Sequence, residues 1–152
     1  MNHTHEGGRI VVGVDGSEHS IHALQQAQRY AALLGARLQA VTAWQYPLML
    51  SAYPVMEWNP GRDAAEVLDN ALASAFGQDG HADVEKTVTQ GQPALVLLDA
   101  SRGAELLVVG CRGKGGFAGL LLGSVSSAVA AHAHCSVLVT HMDEHRHEEN
   151  SG

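Results

Sequence analysis

The sequence predicts an α/β domain built on a parallel β-sheet with helices on both faces, and three observations predict it. Short β-branched or aliphatic runs recur along the chain, most of them ending in turn signals. Between these runs, apolar residues step by three or four, which is the period of a helix face. With apolar residues at 45% and aromatic residues at only 5%, the interior is aliphatic, which suits helix-on-sheet packing. Strands that alternate with helices run parallel, because each crossover returns the chain to the same end of the sheet, and right-handed crossovers distribute the helices over both faces.

Arg9 to Val14 (RIVVGV) is the first strand, and Asp15-Gly16-Ser17 is a turn whose serine is placed to cap a helix. That helix runs from Glu18 to Leu34, with Leu24, Ala27, Ala31 and Leu34 on one face and Gly35 at its C-terminal cap. Arg37 to Trp44 (RLQAVTAW) is the second strand. Pro47, Pro54 and Pro60 prevent a continuous helix after it, so a long surface connection is expected. The second helix is expected from Gly61 to Phe76, with Ala65, Leu68, Leu72, Ala75 and Phe76 on one face, ending in a turn from Gly77 to Gly80. Strand three is Asp83 to Thr89. Pro93 suits a first helical turn, which gives a third helix over Pro93 to Ser101, and Gly103 releases the chain into strand four, Glu105 to Val109. Helix four is Ser124 to His132 and strand five is Ser136 to His141. The organisation expected is a flexible N-terminus over residues 1–8, one domain over 9–141 and a flexible tail over 142–152, where DEHRHEENSG has too few apolar residues to pack.

Composition narrows the function. A chain of 152 residues suits one core that buries roughly two thirds of its unfolded surface. The formal charge of −7, with pI near 5.7, gives no clustered Lys and Arg for a phosphate backbone, so no nucleic-acid partner is expected. The opening MNHTHEGG lacks a basic n-region and an apolar h-region, and no apolar run approaches spanning length, so no membrane partner is expected and the location is read as cytoplasmic. Cys111 and Cys135 form neither a C-x-x-C pair nor a disulfide scaffold, in keeping with a reducing compartment. The ten histidines, among them His132, His134, His145 and His147, invite a metal reading, but zinc sites use closely grouped ligands set in ordered structure, so no structural metal is expected.

Chemistry concentrates between Leu106 and Ser126, LLVVGCRGKGGFAGLLLGSVS. A buried-strand signal delivers the chain to glycines spaced Gly110-x2-Gly113-x9-Gly123, and Ser124 then opens a helix. Missing Cβ atoms let backbone N–H groups approach an anion closely, and the helix start adds unpaired N–H groups and roughly +0.5 of an elementary charge. Arg112 and Lys114 are the cations of this loop. A connection this long, where strand-to-helix turns usually take about two to six residues, points to a functional loop. It is not a Walker A loop, since G-x4-G-K-[ST] occurs nowhere. Gly113-x-Gly115-x2-Ala118 matches the dinucleotide fingerprint in letters alone, because too little chain remains beyond it for the βαβ unit that motif needs.

Gly110-x2-Gly113-x9-Gly123-Ser124, with Ser126 beyond it and VVGVDGS near the N-terminus, resembles the ATP-binding branch of the universal stress proteins over about Arg9 to Thr140. The resemblance implies an open five-stranded sheet of order 3-2-1-4-5, Rossmann-like and related to the adenine nucleotide α-hydrolases. In that order strands one and four are neighbours where the order reverses, which sets Gly13, Val14 and Asp15 opposite Gly110, Arg112, Gly113, Gly123, Ser124, Val125 and Ser126. It also implies Ser124, Ser126 and the Val125 N–H at the phosphates, Asp15 beside the ribose or a bound Mg²⁺, and Val41 where backbone reads adenine. ATP with Mg²⁺ is the implied ligand, AMP and cyclic AMP fit the same letters, and a homodimer through strand 136–140 is the implied assembly. Two departures stand out: Cys111 replaces a frequent serine, and Ala133-His134-Cys135-Ser136 lacks the prolines often found before the last strand.

The function expected is therefore an ATP-binding stress-response switch or holder. A slow ATP-hydrolysing enzyme and a nucleotide-free dimeric interaction module are the readings from other classes, and the glycine loop counts against the second. No catalytic residue is assigned, because the loop supplies donors while Asp15 is the only carboxylate brought near, so turnover is expected to be slow or absent.

Overall fold

A computed structural model describes residues 8–46, 59–78, 83–112 and 122–142. The elements run β1 Arg9–Gly13, α1 Glu18–Leu34, β2 Arg37–Trp44, α2 Pro60–Phe76, β3 Glu85–Gln90, α3 Pro93–Ala100, β4 Leu106–Gly110, α4 Ser124–His132 and β5 Ser136–Thr140. All four strand pairings are parallel and the sheet order is β3-β2-β1-β4-β5, so the expected alternation and order are both found.

Period-two alternation divides the core into two layers. Ile10 and Val12 of β1, with Val108 of β4, face α1 and α2, where they meet Leu24, Ala27, Leu68 and Leu72. Val11, Val41, Leu107 and Val109 face the other way, against Leu97 of α3 and Val129 of α4. Both faces are thus covered, as a parallel sheet requires.

Element ends differ from expectation for local reasons. The ladder at the end of β1 stops because the Val14 carbonyl accepts the Thr42 hydroxyl at 2.9 Å instead of a strand partner, although the Val14 N–H still reaches the Val41 carbonyl at 2.9 Å. In α1, Ser17 caps as expected, its hydroxyl accepting the Ser20 N–H, and Gly35 ends the helix in the left-handed region at φ 65°. Leu34 is exposed, not buried: the inward face is Ser20, Ala23, Leu24, Ala27 and Ala31. In α2, Asn59 is the cap and Pro60 opens the helix, where its missing N–H is not needed, and Ala64 takes the inward place expected for Ala65. The expectations for residues 1–7, the connection 47–58, the turn at 79–80, the loop residues 113–121 and the tail from 143 lie outside the described residues.

Candidate functional site

The chain leaves β1 into a turn held together by its own polar groups. Gly16 takes φ 85°, which an L side chain rarely adopts, and this lets Asp15 Oδ1 accept the Ser17 N–H at 2.9 Å. Ser20 closes the turn from inside α1: its hydroxyl donates to the Ser17 carbonyl at 2.9 Å and accepts the Asp15 N–H at 3.4 Å. Asp15 stays exposed at the rim beyond the carboxyl end of β1.

Beyond β4, one carbonyl organises the second half. Cys111 donates its N–H to the Thr140 carbonyl at 2.9 Å, and its own carbonyl accepts the Gly123 N–H at 2.7 Å and the Ser126 hydroxyl at 2.8 Å. The loop therefore returns to its point of departure before α4 begins. Gly123 is the cap residue and Ser124 the first helical one, so Ser124 opens the helix as expected. No side chain caps this end, and the first intrahelical bond runs from the Ser127 N–H to the Gly123 carbonyl at 2.9 Å. The N–H groups of Ser124, Val125 and Ser126 precede that bond, which makes this end a donor surface with a positive dipole end.

Between the two halves, at the reversal of strand order, lies a cavity of about 260 Å³. Gly13, Val14 and Asp15 form one side, Gly110, Arg112 and Gly123 to Ser126 the other, and Val41, Ala43, Pro93 and Leu97 the wall toward β2 and α3. Among the described residues lining it, Asp15 and Arg112 carry the only charges. The end at α4 thus offers helix N–H groups, with Arg112 among the residues lining that side, and the wall toward β2 and α3 offers aliphatic carbon. Such a site fits a ligand with an anionic end and a flat, less polar body.

The profile of the universal stress protein family matches residues 7–141. The chain belongs to this family. It is 37% identical over 131 residues to universal stress protein Rv2623 of Mycobacterium tuberculosis strain H37Rv, covering 86% of this chain and 44% of that protein. It is 36% identical over 141 residues to universal stress protein Mb2019 of Mycobacterium bovis, covering 89% of this chain and again 44% of the relative. The chain therefore spans less than half the length of the curated relatives it matches. Among solved structures, a universal stress protein in complex with cAMP is 29% identical, with a TM-score of 0.66 over 88% of this chain and 97% of that one. Protein MJ0577, at 19% identity and a TM-score of 0.73 over 90% of this chain and 97% of that one, shares the fold.

Within this universal stress protein fold, every sequence-derived site residue among those described lines the one cavity; Gly113 lies outside the described residues. Their individual situations differ from one another. The Val41 carbonyl accepts the Val14 N–H, and its side chain is 2% exposed. Ser126 is 3% exposed with its hydroxyl proton committed to the Cys111 carbonyl. Gly110 is required by packing: a Cβ there would sit 2.8 Å from the His19 carbonyl oxygen, in the first turn of α1.

Ser20, Ala43, Pro93 and Leu97 also line the cavity, and sequence reasoning did not assign them. Two signals for them exist. Ala43 comes two residues after Val41 on a strand and so shares its face, and Leu97 stands one helical turn after Pro93. Leu97 also explains Gly13, where a Cβ would meet its Cδ1 at 2.7 Å.

Both cysteines are free thiols. Cys111 is buried with its Sγ 3.7 Å from His19 Nδ1. Burial pushes the Cys135 thiol above its ordinary pKa, against the opposing pull of the Arg9 guanidinium. Among the described residues, no group of three His, Cys, Asp or Glu side chains could hold a metal ion, and no helix is long and apolar enough to cross a membrane.

Proposed function

We propose that this chain binds an adenine nucleotide in the cavity between β1 and β4 and acts as a nucleotide-dependent switch or holder in a cytoplasmic stress response. One observation carries the reading: both motifs, separated by almost a hundred residues, converge on a single cavity whose one end is a side-chain-uncapped helix start flanked by Arg112. The phosphates would lie at the N–H groups of Ser124, Val125 and Ser126, and the base against Val41, Ala43 and Leu97. The 29% identical relative solved with cAMP supports an adenine nucleotide as the ligand class. ATP with Mg²⁺ is the form proposed. Mg²⁺ usually takes one or two carboxylates together with phosphate oxygens and water, and Asp15 at the rim is the carboxylate that would supply this chain's share.

A holder rather than a fast hydrolase is proposed because Asp15 is the only carboxylate among the described residues lining the cavity, which no described histidine lines. General-base help contributes about 10² to 10⁴-fold, so donors alone hold ATP without cleaving it quickly. Steady-state phosphate release is expected well below ~1 s⁻¹, under the usual range for enzymes. The decisive experiment is mass spectrometry of nucleotide released from the purified, denatured protein, with thermal unfolding in added ATP and Mg²⁺. Ligand at 100 times its Kd adds about 2.7 kcal/mol, a rise of roughly 5 to 10 °C for a domain of this size. Gly123→Val should abolish the rise by placing a branched side chain at the helix start. The same rise in the variant and the wild type would refute the assignment.

A further inference from the structure

We infer that Ser126 is a positioning residue: its hydroxyl clasps the start of α4 to the end of β4 and presents the helix N–H groups to phosphate without touching phosphate itself. The inference rests on the nucleotide reading above and assigns a different role to one residue of that site. A serine hydroxyl has one proton to donate. Here that proton lies between Ser126 Oγ and the Cys111 carbonyl at 2.8 Å, with the Gly123 carbonyl at 3.2 Å as a second acceptor. An anion needs donors, so a hydroxyl whose proton is already committed offers it only lone pairs. Ser126 is also 3% exposed, which keeps the hydroxyl on the protein side of the cavity wall.

The partner of this bond sets its effect. The Cys111 carbonyl also accepts the Gly123 N–H at 2.7 Å, so two donors, one from the cap residue and one from the first turn, converge on a single oxygen at the end of β4. Cys111 is itself fixed to β5 through its N–H and the Thr140 carbonyl. Two points of the helix start, the Gly123 N–H and the Ser126 hydroxyl, are thus tied to the end of β4, and removal of either leaves it a single tie. The N–H groups of Ser124 and Val125 are then aimed before the ligand arrives, and this preorganisation raises affinity without adding a contact. Cys111 therefore serves the site through its main chain.

The test separates positioning from direct contact. In Ser126→Ala, the Cys111 carbonyl keeps its Gly123 donor, so no buried acceptor is orphaned and the fold should persist. Hydrogen exchange of the ligand-free protein should then quicken at the Ser127 amide, whose bond to Gly123 closes the first turn, and AMP and ATP affinity should each fall about tenfold. Adenosine, which carries no phosphate, should bind Ser126→Ala as it binds the wild type. Ser126→Thr, which restores a hydroxyl, should recover the slow exchange and the AMP affinity together. Gly123→Pro, whose φ of −76° a proline accepts, removes the other donor and should quicken the same amide with Ser126 intact. Unchanged ligand-free exchange in Ser126→Ala with a fall in AMP affinity would mean direct contact and overturn the inference. Quickened exchange with unchanged AMP affinity would reduce the clasp to a structural role and overturn it equally. Wild-type protein that binds none of adenosine, AMP and ATP would overturn the nucleotide reading itself, a result distinct from both.

Discussion

Gly110→Ala tests whether the first glycine of the loop serves ligand approach or the packing of the scaffold. A Cβ built at Gly110 lies 2.8 Å from the His19 carbonyl oxygen, 2.9 Å from its carbonyl carbon and 2.9 Å from its Cβ. All three belong to the first turn of α1, and two of them are backbone. Optimal carbon contacts lie near 3.5 to 4.0 Å, so the start of α1 would have to retreat by about half an ångström or more. Overpacking of this kind typically costs about 1–3 kcal/mol, and at roughly 2–4 °C per kcal/mol the ligand-free melting temperature should fall by about 3 to 10 °C. Gly13→Ala is the internal comparison. Its added Cβ meets Leu97 Cδ1 at 2.7 Å, the tip of a side chain that can change rotamer, so its cost should be the smaller of the two. Thermal unfolding followed by circular dichroism, at one protein concentration and without nucleotide, measures both variants. A ligand-free Gly110→Ala protein melting within about 1 °C of wild type would refute the packing argument, as would a Gly13→Ala cost that exceeds it. Because the displaced turn carries the Asp15-Gly16-Ser17 segment, Gly110→Ala should also weaken nucleotide stabilisation.

Two further outcomes are expected. β5 is a sheet edge, and since the Thr140 carbonyl points to Cys111, alternation turns Leu138 toward β4 and leaves the amides of Val137 and Val139 facing outward. If two copies pair antiparallel through this edge, Val139→Pro should yield a folded monomer by light scattering, whereas Leu138→Pro should break the β4 ladder and destabilise the fold; a wild type that is monomeric at micromolar concentration refutes the pairing. For Cys135, a folded-state pKa raised by burial means that unfolding releases a proton, so this contribution to stability is present below the unfolded thiol pKa and is lost as pH rises through the folded value. In Cys111→Ser protein, alkylation of Cys135 should reach half its maximal rate at a higher pH than a free cysteine does; equal midpoints would contradict the burial effect.

Most of the fold was legible because its signals are local. Ser17, Gly35, Pro93 and the alternating aliphatic strands each act within a few residues, and the helices and strands they mark stand where expected, within a residue or two. What the sequence did not reveal depends on three-dimensional neighbours. Leu34 has the period of a core residue, but it is exposed in the last turn of α1, past Ala31, the last residue of the helix that is buried. Ser124 opens α4 as the sequence predicts, but the meeting of the Gly123 N–H and the Ser126 hydroxyl on the Cys111 carbonyl is a contact between the two ends of the loop that no local signal marks. Pro93 and Leu97 reach the cavity only because the sheet order brings α3 beside β1 and β2; their spacing marks a shared helix face, not what that face meets.

The same distinction governs how the glycines of the site are understood. A glycine spacing records where a Cβ is excluded, but not what excludes it: Gly16 is set by its backbone angle, Gly13 by Leu97 and Gly110 by the backbone of His19. At these three positions the described structure supplies an intramolecular reason, so a motif that reads as a ligand cradle is in part a record of how α1 and α3 dock on the sheet. The two functions converge physically. Close docking of α1 on the end of β4 brings the Asp15 turn toward the loop that Cys111 anchors, and the cavity exists because those two strand ends are held that near. A substitution that merely enlarges one of these glycines should therefore disturb the scaffold and the ligand site together. Removal of the Ser126 hydroxyl, which crowds nothing, should disturb the phosphate end with much less effect on the rest of the fold.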